Sequence, residues 1–226
     1  MRYGGLMTGR GSPSERLYTT LRAAILRGLF APEQALKPQE LANTEGVSLA
    51  VAREALLRLV GEGLATRLPN RGFAVPAVNA ERWQQIAEAR AVTEPVMLRL
   101  SIERSGVDWE VRVRAAHHHL ARTPFQEPGG TFVSDEWSEA HRRFHRALLE
   151  GCGNPVLLDG FDRMWTASEL ARRWSGAIVP ERDGTKEHAA LEAAALSRDA
   201  DRAAGLLARH ILRTAQSLTV RTAHED

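Results

Sequence analysis

The stretch PQELANTEGVSLAVAREALLRLVGEGLATRLPNRGFAV, residues 38–75, decides how the first third of this chain folds. PQELANTEGVS reads as a short helix stopped by Gly46, a residue suited to a helix C-terminus. Ser48 is the N-cap of the next segment, whose inner face is marked by Val51, Ala55, Leu56, Leu59 and Val60. Gly61 and Gly63 end that helix. LATRL and GFAVP then form two short extended runs around PNRG, a turn sequence. Upstream, Leu17, Leu21, Ile25 and Leu29 recur every four residues and Leu26 widens the stripe. That pattern predicts one amphipathic helix, opening at the candidate cap Ser12-Pro13-Ser14 and ending near Gly28. The order is helix, helix–turn–helix, two-stranded hairpin, which is a winged helix–turn–helix.

Charge agrees with that reading. Residues 1–78 carry ten Lys or Arg against six Asp or Glu, an excess of four positive charges. The remainder carries 20 against 22, so the basic excess sits where an anionic partner would be attracted. The second helix of such a pair lies in the major groove with its N-terminal residues near base edges. Arg53, one turn in and on the side away from the apolar stripe, is the candidate for a phosphate or guanine contact. It could equally pair with Glu54 or Glu62. Ser48 could bond a phosphate or act only as a cap. The wing tip Asn70-Arg71-Gly72 places an arginine where it can enter a minor groove, and Lys37 and Gln39 stand where they can touch backbone.

After Pro76 the pattern becomes helical almost throughout, with six helices predicted at 80–104, 107–122, 131–151, 154–175, 184–198 and 199–221. Pro95 should kink or split the first. The fold class is therefore mainly α: a leader over 1–13, a winged helix–turn–helix over 14–76 and an all-helical bundle over 77–222. No run of about 18 apolar residues exists, which argues against a membrane partner. The lone Cys152 cannot form an internal disulfide, and MRYGGLMTGRGSPSE lacks the apolar stretch of a secretory signal. Both place the protein in the cytoplasm.

The helical half concentrates the histidines. His141 and His145, four apart in HRRFHRALLEGCGNP, share one helix face. His188 begins a later helix and His210 lies on the last. Bundles build metal sites from inward side chains of different helices, and neutral imidazole suits zinc and similar ions. Such pairs are also common as solvated decoration. His117, His118 and His119 fan around a helix and cannot all face one point, and His224 lies in the tail.

The run over residues 17–75 resembles the DNA-binding domain of GntR-type bacterial transcriptional regulators, through its LRAAILRGLF, LANTEGVSLAVAREAL and PNRGFAV segments. Glu33 replaces the family's usual glycine after the proline, Leu49 the arginine after the serine, and Val51 the next proline. Losing that arginine implies an operator unlike the commonest half-site. Residues 79–222 resemble the FCD effector domain of the FadR-like branch, through Glu88, Arg90 and Glu94 in EARAVTEP, the FHRALLEGCGNP segment, and the EH…H spacing of His188 and His210. The resemblance implies metal ligands at His145, His188 and His210. Where many members place an aspartate, this chain has His141, the implied fourth. Four neutral ligands leave a divalent ion at +2, which should favour zinc or nickel over manganese and attract an anionic effector. Arg90 either pairs along its helix with Glu94 or turns inward to bind an effector carboxylate.

The reading that follows is a metabolite-responsive regulator, most simply a repressor and not an enzyme. A homodimer would set two winged domains on a palindromic stretch of double-stranded DNA while the bundle binds a small carboxylate. The alternative is a metal-dependent hydrolase with an accessory DNA-binding domain. Against it, no H-E-x-x-H motif occurs and Glu187, beside His188, points elsewhere on its helix. A third reading leaves the histidines as core residues of a DNA-binding dimer.

Overall fold

A computed structural model of the chain describes residues 11–69, 72–77, 80–126, 133–174 and 184–222. Two compact units result: the first comprises Met1–Asn79 together with Glu169–Trp174, and the second the rest of the chain. The first opens with α1 (Pro13–Leu26), whose Ser12 hydroxyl accepts from the Glu15 N–H at 3.2 Å. After it come β1 (Ala35–Leu36), α2 (Pro38–Glu45), α3 (Leu49–Gly61), β2 (Thr66–Leu68) and β3 (Gly72–Ala74). Gly46 ends α2 in the left-handed region at φ 68°, where a side chain would be strained. The Ser48 hydroxyl then caps α3 by accepting from the Val51 N–H at 3.3 Å.

Leu17, Leu21 and Ile25 of α1 meet Ala52, Leu56 and Leu59 of α3 in a core from which water is excluded. Outside that core the two helices are also strapped together. The Tyr18 hydroxyl and Arg22 both reach Glu62, just after α3, and Arg58 pairs with Glu15 while its guanidinium lies 4.1 Å from the Tyr18 ring centre.

Two expectations need correction here. Leu29 is 61% exposed, because α1 stops at Leu26 and Gly28, at φ 72°, turns the chain so that Phe30 takes the core place. On α3, Val51 and Val60 are partly buried and packed against the core as expected, and Ala52, which the pattern omitted, is fully buried beside Ala55, Leu56 and Leu59. The wing is a three-stranded antiparallel sheet in the order β1-β3-β2 rather than a hairpin alone. In it Leu36 stands opposite Phe73, and Arg67 pairs with Phe73 from the other side.

The second unit contains α4 (Ala80–Arg104), α5 (Val107–Arg122), α6 (Asp135–Glu150), α7 (Pro155–Trp174) as far as Ser168, α8 (Gly184–Leu196) and α9 (Ala200–Thr222). Helix α4 is a single helix through Pro95, so of the expected kink or split the split does not occur. It packs along α9. Its C-terminal carbonyls are also gripped: Arg198 donates to Ile102 O at 2.9 Å and Ser105 O at 2.8 Å. Helix α6 starts later than predicted, at Asp135, with Ser134 as its cap and Val133 in a β-bridge with Gln126. No helix among the described residues is long and apolar enough to cross a membrane.

The far end of α6 is pinned by side chains of α4 and α5. Trp109 donates its indole N–H to Ala147 O at 2.8 Å, Ser101 its hydroxyl to Leu149 O at 2.9 Å, and Arg104 reaches Cys152 O at 2.7 Å. A Cβ on Gly151 would stand 2.1 Å from Ser105 Oγ and 3.2 Å from the Ser101 backbone, so only glycine permits this approach. These bonds satisfy carbonyls that the helix end leaves orphaned and fix how α6 is turned. That rotation decides where His141 and His145 point.

Candidate functional site

Helix α6 carries the densest part of the site because its apolar and imidazole side chains fall on one stripe. His141, Phe144, His145 and Leu148 are all buried, at spacings of three and four. The His141 and His145 ring centres are 4.7 Å apart. Across from them α8 presents His188 and α9 presents His210. His188 lies 4.8 Å from His141 and His210 5.1 Å from His145, centre to centre. One nitrogen from each of the four rings lies within 4.8 Å of every other, and no ring is more than 7% exposed.

Aromatic side chains wall this cluster. Trp137 stacks on His141 at 4.5 Å, Trp165 of α7 stands 5.0 Å from both His141 and His145, and Phe144 lies 5.5 Å from His188. The donor set suits a divalent ion. His141 Nε2 and His188 Nε2 are 3.1 Å apart, close to the separation of two nitrogens on one tetrahedral zinc with bonds of about 2.0–2.1 Å. His145 and His210 supply the remaining two positions of such a set.

Glu187 is the residue that spacing arguments passed over. Its carboxylate lands on His210, with Oε2 2.8 Å from Nδ1. Arg213 reaches the other oxygen at 3.4 Å. A carboxylate so engaged is held on the His210 ring rather than offered to the cluster as a base.

Arg90 on α4 belongs to the same wall. Its guanidinium lies 4.8 Å from the Trp165 ring centre, and Nε and Nη2 donate to the two Glu94 oxygens at 2.5 and 3.3 Å. The intrahelical pair is therefore made, but it is not the solvated pair that spacing suggests. Glu94 is fully buried and Arg90 is 8% exposed. His117 instead pairs with Glu192 at 2.8 Å, apart from the cluster.

In the first unit Ser48, Arg53, Lys37 and Gln39 are all exposed. Arg53 makes no ion pair with a described residue, and Glu62, its suggested partner, is taken by Tyr18 and Arg22. Lys37 pairs with Glu40 at 2.7 Å and Gln39 donates to Asn43 at 3.1 Å. Gly72 opens β3 at φ 89°. Arg71, at the wing tip, lies outside the described residues.

Comparison with known proteins matches these two halves separately. The model of the gntR family of bacterial regulatory proteins matches residues 13–75, and that of the FCD domain matches residues 85–213. The HTH-type transcriptional repressor GlaR of Escherichia coli (strain K12) is 32% identical over 200 residues, covering 86% of this chain and 90% of its own. The HTH-type transcriptional regulator BphR of Paraburkholderia xenovorans (strain LB400) is 31% identical over 201 residues, 87% of this chain and 81% of its own. Among solved structures, McbR/YncC of E. coli superposes with a TM-score of 0.72 at 22% identity, over 96% of this chain and all of its own.

Proposed function

Because the chain belongs to the gntR family of bacterial regulatory proteins and carries an FCD domain, we propose that it is a metabolite-responsive repressor, sensing a small carboxylate at a metal site. The observation that carries this reading is the convergence of four buried imidazoles from three helices within 4.8 Å. His141, His145, His188 and His210 would hold zinc or nickel, ions that accept four neutral nitrogen ligands. Such a site keeps its full +2 charge and offers an anion a strong local field. Arg90, across Trp165 from the cluster, supplies the second cationic group toward which an effector carboxylate would orient.

Residues 14–76 act as the DNA reader and 77–222 as the sensing and dimerising domain. Two readers in a homodimer match a palindromic operator in double-stranded DNA. Arg53 and Ser48 address the major groove, Arg71 and Gly72 the minor groove, and Lys37 and Gln39 the backbone. Repression follows the function named for GlaR, and the protein works in the cytoplasm. A carboxylate that binds one arrangement of the dimer better than another must change operator affinity by the same coupling free energy.

The test is a melting screen of metabolite carboxylates on zinc-loaded and chelator-treated protein, followed by operator titration with each hit. A true effector raises the melting temperature only with zinc and changes DNA affinity by about 5–150-fold. If hits are indifferent to chelator, or leave DNA affinity unchanged, the sensor reading fails.

A further inference from the structure

We propose that Glu187 is a positioning residue for His210, fixing its tautomer and aiming its Nε2 into the four-histidine cluster. This rests on the metal-site reading above and names a residue outside the ligand set. Glu187 and His188 are consecutive on α8, so their side chains leave the helix about 100° apart. His188 turns into the cluster, while Glu187 reaches the His210 ring of α9. There its Oε2 lies 2.8 Å from His210 Nδ1. An ionised carboxylate can only accept, so the proton of a neutral His210 sits on Nδ1 and the lone pair is left on Nε2. That is the nitrogen a metal needs. Arg213, one turn further along α9, holds Glu187 Oε1 at 3.4 Å, so the carboxylate is fixed at both ends.

Charge gives the arrangement a second purpose. The four imidazoles bring no negative charge to a divalent ion. Glu187 places one a single imidazole away and, by polarising the Nδ1–H bond, raises the basicity of the ligating Nε2. The position that holds His141 in this chain supplies no such charge. The outer carboxylate therefore does part of the work that a directly bound one would do, while the ion keeps the uncompensated charge that draws an anion.

A plain ion pair between Glu187 and a doubly protonated His210 would use the same 2.8 Å contact but would withdraw His210 from ligation. The two are separated by zinc affinity. Full-length wild type, Glu187→Gln, Glu187→Ala and Arg213→Ala are titrated with zinc sulfate against a chromophoric chelator. The His210 ring nitrogens are assigned by 15N NMR on the metal-free proteins. Wild type should bind one zinc per chain with His210 in the Nδ1–H form. Glu187→Ala should bind about 10–100-fold more weakly and lose that tautomer preference. Glu187→Gln, which keeps an acceptor without the charge, should fall between and remains informative if the alanine variant does not fold. If wild type binds zinc and the folded Gln and Ala variants bind it equally tightly, the positioning role is overturned while the metal site stands. If wild type binds no zinc, the metal reading fails first and takes this inference with it.

Discussion

Replacing Glu33 with glycine should stabilise the DNA-reading unit, although no side chain there is packed. Residues 31–34, Ala-Pro-Glu-Gln, form a tight turn closed by Gln34 N–H donating to Ala31 O at 3.1 Å. Pro32 occupies the second position and Glu33, at φ 61°, the third. This is the type II pattern, in which the third residue needs positive φ and glycine is favoured. A non-glycine residue in the left-handed region costs about 1–2 kcal/mol. Glycine gives back roughly 0.5–1 kcal/mol of that through the greater freedom of the unfolded chain. The net expectation for Glu33→Gly is a gain of about 0.5–1 kcal/mol. The turn leads directly into β1, and Val75 N–H donates to Gln34 O at 3.0 Å, so the gain should appear in the sheet. Four of the five tryptophans fall in the other unit, so tryptophan fluorescence is not specific for this one. Amide hydrogen exchange over residues 34–75 is the suitable assay, with global denaturation alongside. Glu33→Ala removes the same charge but keeps a Cβ, and should gain little. If Glu33→Gly and Glu33→Ala are equally protected, the backbone argument is wrong.

Glu94→Ala should be far more damaging than an i,i+4 pair on a surface would suggest. It leaves the Arg90 guanidinium buried without its carboxylate, a loss of about 3–5 kcal/mol, measurable by urea denaturation. A loss near the 0.2–0.5 kcal/mol of an exposed helical pair would mean the site is wet. Tyr18 gives a pH signature. Burial first, and then the Glu62 carboxylate that accepts its hydroxyl, push its phenol up to about 12. Between about pH 10 and 12 the native chain thus holds a proton that the unfolded chain has released, and stability must fall as pH rises through that window. Ultraviolet titration should show a tyrosinate transition near 12 that Tyr18→Phe abolishes; its persistence in the variant would refute the assignment.

What could be read from the sequence, and what could not, divides along physical lines. The long helices were legible because an apolar period repeated over four or more turns cannot easily arise otherwise, and Gly46 and Ser48 mark a stop and a start by backbone chemistry alone. Strand β1 was not, since two residues show no alternation and only the pairing with β3 defines them. Leu29 fitted its stripe but lies past the point where Gly28 ends the helix. The pairing of His141 with His145 follows from a one-turn spacing, whereas the approach of His188 and His210 needed the family resemblance. Glu187 and His210 are 23 positions apart on different helices, and no periodicity connects them.

The same distinction explains why Arg90 resisted a reading from spacing. Four residues along a helix predicts a contact with Glu94 whether the pair is wet or dry, and the contact is indeed made. What spacing cannot carry is the dielectric. Here Glu94 is shut away from water and Arg90 lies against Trp165, whose ring also neighbours His141 and His145. Glu94 occupies two of the five N–H donors of the guanidinium, at Nε and Nη2. A carboxylate arriving from the histidine side would therefore have to take other donors or displace Glu94. In the first case Arg90→Lys, which lacks the fork, should weaken the effector strongly; in the second, Glu94→Gln should strengthen it, because the competitor has lost its charge. Effector titrations of these two variants separate the routes, and an affinity that moved in neither would remove Arg90 from the binding site.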